Sequence, residues 1–172
     1  AVQLRGRGFV VVDGFLGVAA ARALRQALVS LPEESWRAGS LGGGRQGVAA
    51  STALRGDAVA MPDYTDAGPL GTGVRGLLRD LDALVFALRP LLNRSEELAG
   101  VVARERPMAS RYPHGGRYIR HYDNNCDGGS GDCNGRRLTS VYYLNEGLCD
   151  SDGGHLRLVG RCGRTYDVLP TA

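Results

Sequence analysis

The sequence predicts an α+β fold, with N-terminal helices supporting an antiparallel jelly roll, and three observations carry that prediction. Up to about residue 105 the apolar residues recur at helical spacing, interrupted by one long glycine-rich stretch. From Arg106 onward, short apolar-alternating runs are separated by glycine-rich turns, in the manner of an all-β sandwich or barrel. A length of 172 residues is that of one domain, so helices first and strands after belong to a single layered unit. The expected organisation is one domain over 1–172, with helical support in 1–105 and jelly-roll strands in 106–172. No internal repeat is present.

Residues 8–16, GFVVVDGFL, read as a buried strand ending in a turn at Asp13-Gly14. The next segment predicts a helix over 18–30, with Ala20, Leu24, Ala27, Leu28 and Leu31 as its apolar stripe and Pro32 as its stop. Residues 36–57 hold many glycines and little periodicity, which predicts a long mobile loop between short strands; loops of that length in a compact domain are usually functional. A second helix is expected over 70–92, with Leu77, Leu78, Leu81, Leu84, Val85 and Leu88 buried and Pro90 ending or kinking it. The expected strands beyond it are PMASRYP, RYIRHYD, RLTSVYYLN, GHLRLV and TYDVL.

Composition narrows the function. Apolar residues make up 43% and charged residues 23%, ordinary for a globular domain, and no apolar run approaches the ~20 residues of a membrane-spanning helix. The net charge of +3 comes with 21 basic residues, all arginine and scattered, without the basic stripe and interleaved aromatics of a nucleic-acid surface. Neither a membrane nor a nucleic acid is expected as a partner. Cys126, Cys133, Cys149 and Cys162 lack paired structural-zinc spacing. Cys126 and Cys133 would bridge only in an oxidising compartment, and free thiols in a reducing cytoplasm are the favoured reading. Asp127 and Asp132 between them lack the spacing of a calcium loop.

Residues 118–125 read YIRHYDNN. On a strand, successive side chains alternate faces, so Ile119, His121 and Asp123 would share one face and Tyr118, Arg120 and Tyr122 the other. An imidazole and a carboxylate at i and i+2 then converge on one point. With one further histidine they would form the facial triad of a non-haem Fe(II) oxygenase, which keeps coordination positions open for substrate and O₂. Taken alone, the pair equally fits a hydrogen-bonded structural couple.

The surroundings add a resemblance. GFVVVDGFLG, LRGD, YPHGGRYIRHYDNN, RRLTSVYYLN and GGHLRL occur in this order at suitable separations over nearly the whole chain. Together they resemble the 2-oxoglutarate- and Fe(II)-dependent prolyl hydroxylases of the hypoxia-inducible-factor (EGL-nine) type. The resemblance implies a double-stranded β-helix that uses Fe(II) and 2-oxoglutarate, with ascorbate as reductant. It implies hydroxylation of a proline in a polypeptide, with succinate and CO₂ as co-products, by a monomer in the cytoplasm or nucleus. Carried over residue by residue, it makes His121 and Asp123 the first two iron ligands. Tyr112, Tyr143 and Leu156 become residues of the 2-oxoglutarate pocket. Arg136 becomes a contact for the substrate polypeptide at the pocket mouth, while Arg55 and Asp57 lie on a finger loop that folds over that polypeptide.

Two departures accompany the resemblance. The stretch between Asp123 and Arg136 is longer than in the animal enzymes of this type. The family's third ligand, in an HxV motif, and its 2-oxoglutarate-binding arginine would fall beyond Ala172, as would its last strands, so residues beyond Ala172 are expected to supply them. The alternative is a catalytically silent jelly-roll module that binds proteins. Without the family, Tyr142 and Tyr143 read as sheet-forming aromatics, Arg55 and Asp57 as an exposed salt bridge, and Arg136 as solvated surface. His155, next to Leu156, would point away from the pocket and is not recruited as a ligand.

Overall fold

The computed structural model describes residues 2–40, 54–91, 101–124, 134–160 and 163–172. Among the described residues there are three α-helices: α1 (Val2–Arg7), α2 (Val18–Val29) and α3 (Pro69–Leu88). The sequence reading did not include α1. Helix α2 follows Gly17, whose φ of 75° is open mainly to glycine, and it ends where Pro32 cannot continue it. Helix α3 opens on Pro69, where a missing N–H costs nothing, and closes through a tight turn over Arg89–Leu91 that contains Pro90.

The core lies where α2 meets the first half of α3. Leu24 packs on Val74 and Leu78, with Leu16, Leu28, Tyr64, Leu70, Leu77 and Leu144 around them. Gly73 permits that approach, and Gly71 lets the Asp63–Asp66 segment lie against α3, each at some cost in helix propensity. A Cβ on Gly73 would stand 3.2 Å from Leu24 Cδ1, and one on Gly71 would stand 2.1 Å from the Asp66 carbonyl oxygen. Burial is therefore concentrated in the first turns of α3, at Gly71, Val74 and Leu78. Leu81, Leu84, Val85 and Leu88, expected to be buried, are partly exposed because the packing against α2 is centred on the earlier turns. On α2 the buried positions are Ala21 and Leu24, while Ala20 of the expected stripe faces solvent.

Two small antiparallel sheets complete the described structure. In the first, β1 (Arg37–Ala38), β2 (Ala58–Ala60) and β3 (Ala109–Arg111) lie in that order, with Ala38 opposite Ala58 and Ala58 opposite Arg111. Arg111 fastens this sheet outward, with its guanidinium 4.4 Å from the Trp36 ring and paired with Glu33. The second sheet is a hairpin of β4 (Leu156–Val159) and β5 (Thr165–Val168), with Leu156 opposite Val168. The mixture of helix and antiparallel sheet is compatible with the expected α+β class; the strands described are these two small sheets rather than a closed jelly roll.

Three expected strands are not formed. Residues 8–12 are not in a sheet, and Val10, Val11 and Val12 are 40%, 47% and 53% exposed. An apolar run shows that a segment avoids water, but pairing depends on a partner edge that the run itself does not specify. Residues 117–124 form bends whose strand-like pairing among the described residues is the isolated bridge of Tyr118 with Arg55, and residues 134–146 run without strand pairing. That second segment still anchors the C-terminal half, since Leu144 reaches the helical core and Asn145 donates to the Pro170 carbonyl at 2.6 Å. Of the long loop expected over 36–57, residues 41–53 lie outside the described residues.

With one apolar core shared by α2 and α3, Leu24→Ala should destabilise the domain by about 2–4 kcal/mol. Urea unfolding would show this as a lower midpoint with an unchanged slope.

Candidate functional site

The candidate site is built on a clasp between two short segments far apart in sequence. After β3, the run Pro113-His114-Gly115-Gly116 reverses the chain, with Gly116 N–H donating to the Pro113 carbonyl at 2.8 Å. Gly115 takes φ 74°, and a Cβ on Gly116 would meet the Pro113 carbonyl oxygen at 2.8 Å, so the turn is made for glycine at both positions. The returning chain then joins residues 54–57. Gly56 N–H donates to the Arg117 carbonyl (2.8 Å), Ile119 N–H donates to the Leu54 carbonyl (3.0 Å), and Arg55 bridges Tyr118 in antiparallel register.

His121 and Asp123 emerge from that clasp. His121 Nδ1 lies 2.8 Å from the Ile119 carbonyl oxygen, and Nε2 lies 3.1 Å from Asp123 Oδ1. A carbonyl only accepts, so Nδ1 carries a proton, and Nε2 faces a carboxylate oxygen. An imidazole nitrogen and a carboxylate oxygen that close share either a proton or a cation. An imidazole nitrogen and a carboxylate oxygen bound at about 2.1 Å and at right angles to one divalent metal lie about 3.0 Å apart, close to the observed spacing. The backbone bond to Nδ1 is the usual outer support of a metal-ligating histidine. The donor pair therefore fits two sites of an Fe(II) facial triad. Among the described residues no group of three His, Cys, Asp or Glu forms a metal site. His155 instead lies 3.1 Å from Asp150.

The alternation expected of a strand does not hold at this point. Ile119 contributes its carbonyl, and Tyr118, expected on the opposite face, stacks on the His121 ring with centroids 3.8 Å apart and planes at 15°. Bends replace the strand and bring i and i+3 together.

Arg55 and Asp57, expected to clamp a polypeptide from an exposed finger, are 9% and 4% exposed and are paired with each other. Arg55 Nε and Nη2 donate to the two Asp57 carboxylate oxygens at 2.6 and 2.9 Å. Burial alone would push the Asp57 carboxyl up, but hydrogen bonds from Arg55 and Ser110 and the charge of Arg55 hold it below its ordinary value. The Asp57 bonds in turn raise Arg55. The guanidinium also sits 4.8 Å from the centre of the Tyr118 ring.

Tyr112 and Tyr143 are the residues expected in the 2-oxoglutarate pocket; of the charges near Tyr112, Asp57 raises its phenol and Arg55 lowers it. Desolvation raises both phenols above their ordinary value, although Tyr112 is still 47% exposed. Leu156 is half-buried at the start of β4. The Arg136 side chain, expected to contact substrate, is ion-paired with Glu105.

Sequence reasoning missed the residues that hold Asp123 in place. Asn134 Nδ2 donates to the Asp123 carbonyl and Asn124 Nδ2 donates to the Arg136 carbonyl, each at 2.7 Å. Asn134 Oδ1 also accepts from the Arg136 N–H at 3.0 Å. The available signal was the asparagines flanking the glycine-rich stretch, since Asn side chains bond readily to nearby backbone. Tyr118 was read only as the back face of a strand.

Residues 107–171 match the family described as the 2OG-Fe(II) oxygenase superfamily. That span contains His121, Asp123, Tyr112, Tyr143, Arg136 and Leu156, while Arg55 and Asp57 precede it. The match supports a 2OG-Fe(II) oxygenase superfamily member, and with it dioxygenase activity in general and the use of Fe(II) and 2-oxoglutarate. No curated protein matches the chain.

Removing one member of the buried ion pair should be costly and removing both should not. Asp57→Ala is expected to destabilise by about 3–5 kcal/mol, and Arg55→Met with Asp57→Leu by little, as read from chemical unfolding. Because the native Asp57 carboxyl is depressed, the pair's contribution is complete above about pH 4 and is lost as pH falls through the depressed value. Acid unfolding of the wild type against the double variant would show that window.

Proposed function

We propose that the chain is an Fe(II)- and 2-oxoglutarate-dependent dioxygenase of the EGL-nine prolyl-hydroxylase type, built on a jelly roll, that hydroxylates a proline in an extended polypeptide. The observation that carries the reading is the His121–Asp123 pair, 3.1 Å apart, with Nε2 turned toward the carboxylate by the Nδ1 bond to the Ile119 carbonyl. When bound, Fe(II) with 2-oxoglutarate and O₂ supplies the oxidative decarboxylation that inserts oxygen into an unactivated C–H bond. His121 and Asp123 would hold the metal. Tyr112 and Tyr143, neutral phenols at physiological pH, would donate hydrogen bonds to the carboxylates of 2-oxoglutarate. Leu156 would line the apolar side of that pocket and keep water from it. The prolyl substrate, and ascorbate as reductant, rest on the ordered motifs from Tyr112 to Leu158.

The second reading, a silent protein-binding module, draws on the two-ligand count among the described residues. The two readings separate in one experiment with Fe(II), 2-oxoglutarate, ascorbate and proline-containing peptides. The wild-type protein should form succinate and add 16 mass units (one oxygen atom, about 16 Da) to the peptide. Asp123→Ala should lose more than about 100-fold of that turnover while melting like the wild type, because changes to outer-shell partners alone cost 10–100-fold. No succinate from the wild type, with peptide binding retained in Asp123→Ala, would establish the module instead.

Tyr143→Phe should raise the 2-oxoglutarate Kd about tenfold, the loss of one hydrogen bond to a charged group. Since burial raises the Tyr143 phenol, its contribution to binding should persist to about pH 10 and fall only above it, as read by direct titration of 2-oxoglutarate.

A further inference from the structure

We propose that Tyr118 and Arg55 are positioning residues for His121, fixing the plane of its ring; this rests on the iron-site reading above. Rotation of an imidazole about its last side-chain bond meets only a broad, shallow barrier, so a ligand ring needs outside restraint. The Ile119 carbonyl restrains one edge of the ring at 2.8 Å. Tyr118 restrains the plane, lying against the imidazole at 3.8 Å and within 15° of parallel. Tyr118 is steadied by the Arg55 guanidinium at 4.8 Å, a favourable cation–π contact in a buried setting. Arg55 cannot swing away, because both carboxylate oxygens of Asp57 hold it in a bidentate pair.

The contacts thus run in series from Asp57 through Arg55 and Tyr118 to His121. The backbone clasp between 54–57 and 117–119 ties the same residues together at their main chains. None of Asp57, Arg55 or Tyr118 is a member of the metal-ligating pair, yet the direction of Nε2 depends on all three. The substitution that matters at 118 is loss of the flat ring rather than loss of the hydroxyl.

The test is metal binding by the full chain without substrate or turnover, using Co(II) as the probe and its visible spectrum and titration calorimetry as readouts. Tyr118→Leu should raise the Co(II) Kd by about tenfold or more, within the 10–100-fold range of outer-shell changes. Tyr118→Phe, which keeps the π face, should stay within about twofold of wild type. Arg55→Met with Asp57→Leu removes the cation without stranding a buried charge, and should raise Kd about two- to fivefold. Urea unfolding run alongside separates lost folding from lost orientation, and if Tyr118→Leu does not fold, the double variant decides. Wild-type affinity in a folded Tyr118→Leu, or in the double variant where that decides, overturns the positioning role and leaves the iron reading intact. A wild type that binds no Co(II), or binds it equally well as His121→Ala, overturns the iron reading and this inference with it.

Discussion

The bidentate pair between Arg55 and Asp57 is the constraint on which the candidate site depends. A buried guanidinium and a buried carboxylate each lose hydration, and each recovers it only through the other and a few nearby acceptors and donors such as Ser110. Such a pair contributes little net stability over an apolar equivalent, but it tolerates very few geometries. Holding Arg55 in place fixes the bridge to Tyr118, and the bridge fixes where the chain turns from Arg117 toward Asp123. The charged pair therefore specifies position more than it supplies energy.

How much of this was legible in the sequence follows from which interactions are local. Helices α2 and α3 were readable because their apolar spacing and their prolines act within a few residues. The β4–β5 hairpin was readable because both runs alternate and a glycine-containing turn joins them. The segments around His121 and Tyr143 were misread as strands, since alternation of aromatic and polar residues states a preference and pairing requires an edge elsewhere in the chain. The two iron-ligand candidates converge all the same, because a spacing of two residues keeps side chains close in a bend as well as in a strand.

Arg55 and Asp57 show the opposite case. The sequence places them two apart beside a glycine-rich stretch, which reads as exposed. Their burial depends on β2 lying between β1 and β3 and on the return of residues 116–119 over Gly56, where a Cβ would meet the Arg117 backbone at 3.5 Å. No local pattern encodes that cover. The same is true of Tyr118, whose stacking on His121 comes from bends that alternation does not anticipate.

The two asparagines at the roots of the glycine-rich stretch carry a different consequence. Asn134 holds the Asp123 carbonyl and Asn124 holds the Arg136 carbonyl, so the chain leaves and rejoins the site at pinned positions. Residues inserted or deleted between those pins add to a closed circuit whose cost grows only slowly with its length. The main chain at Asp123 is therefore held from the far side of that stretch as well as from its own. Changes of length between Asn124 and Asn134 therefore leave in place the two bonds that hold the Asp123 and Arg136 carbonyls.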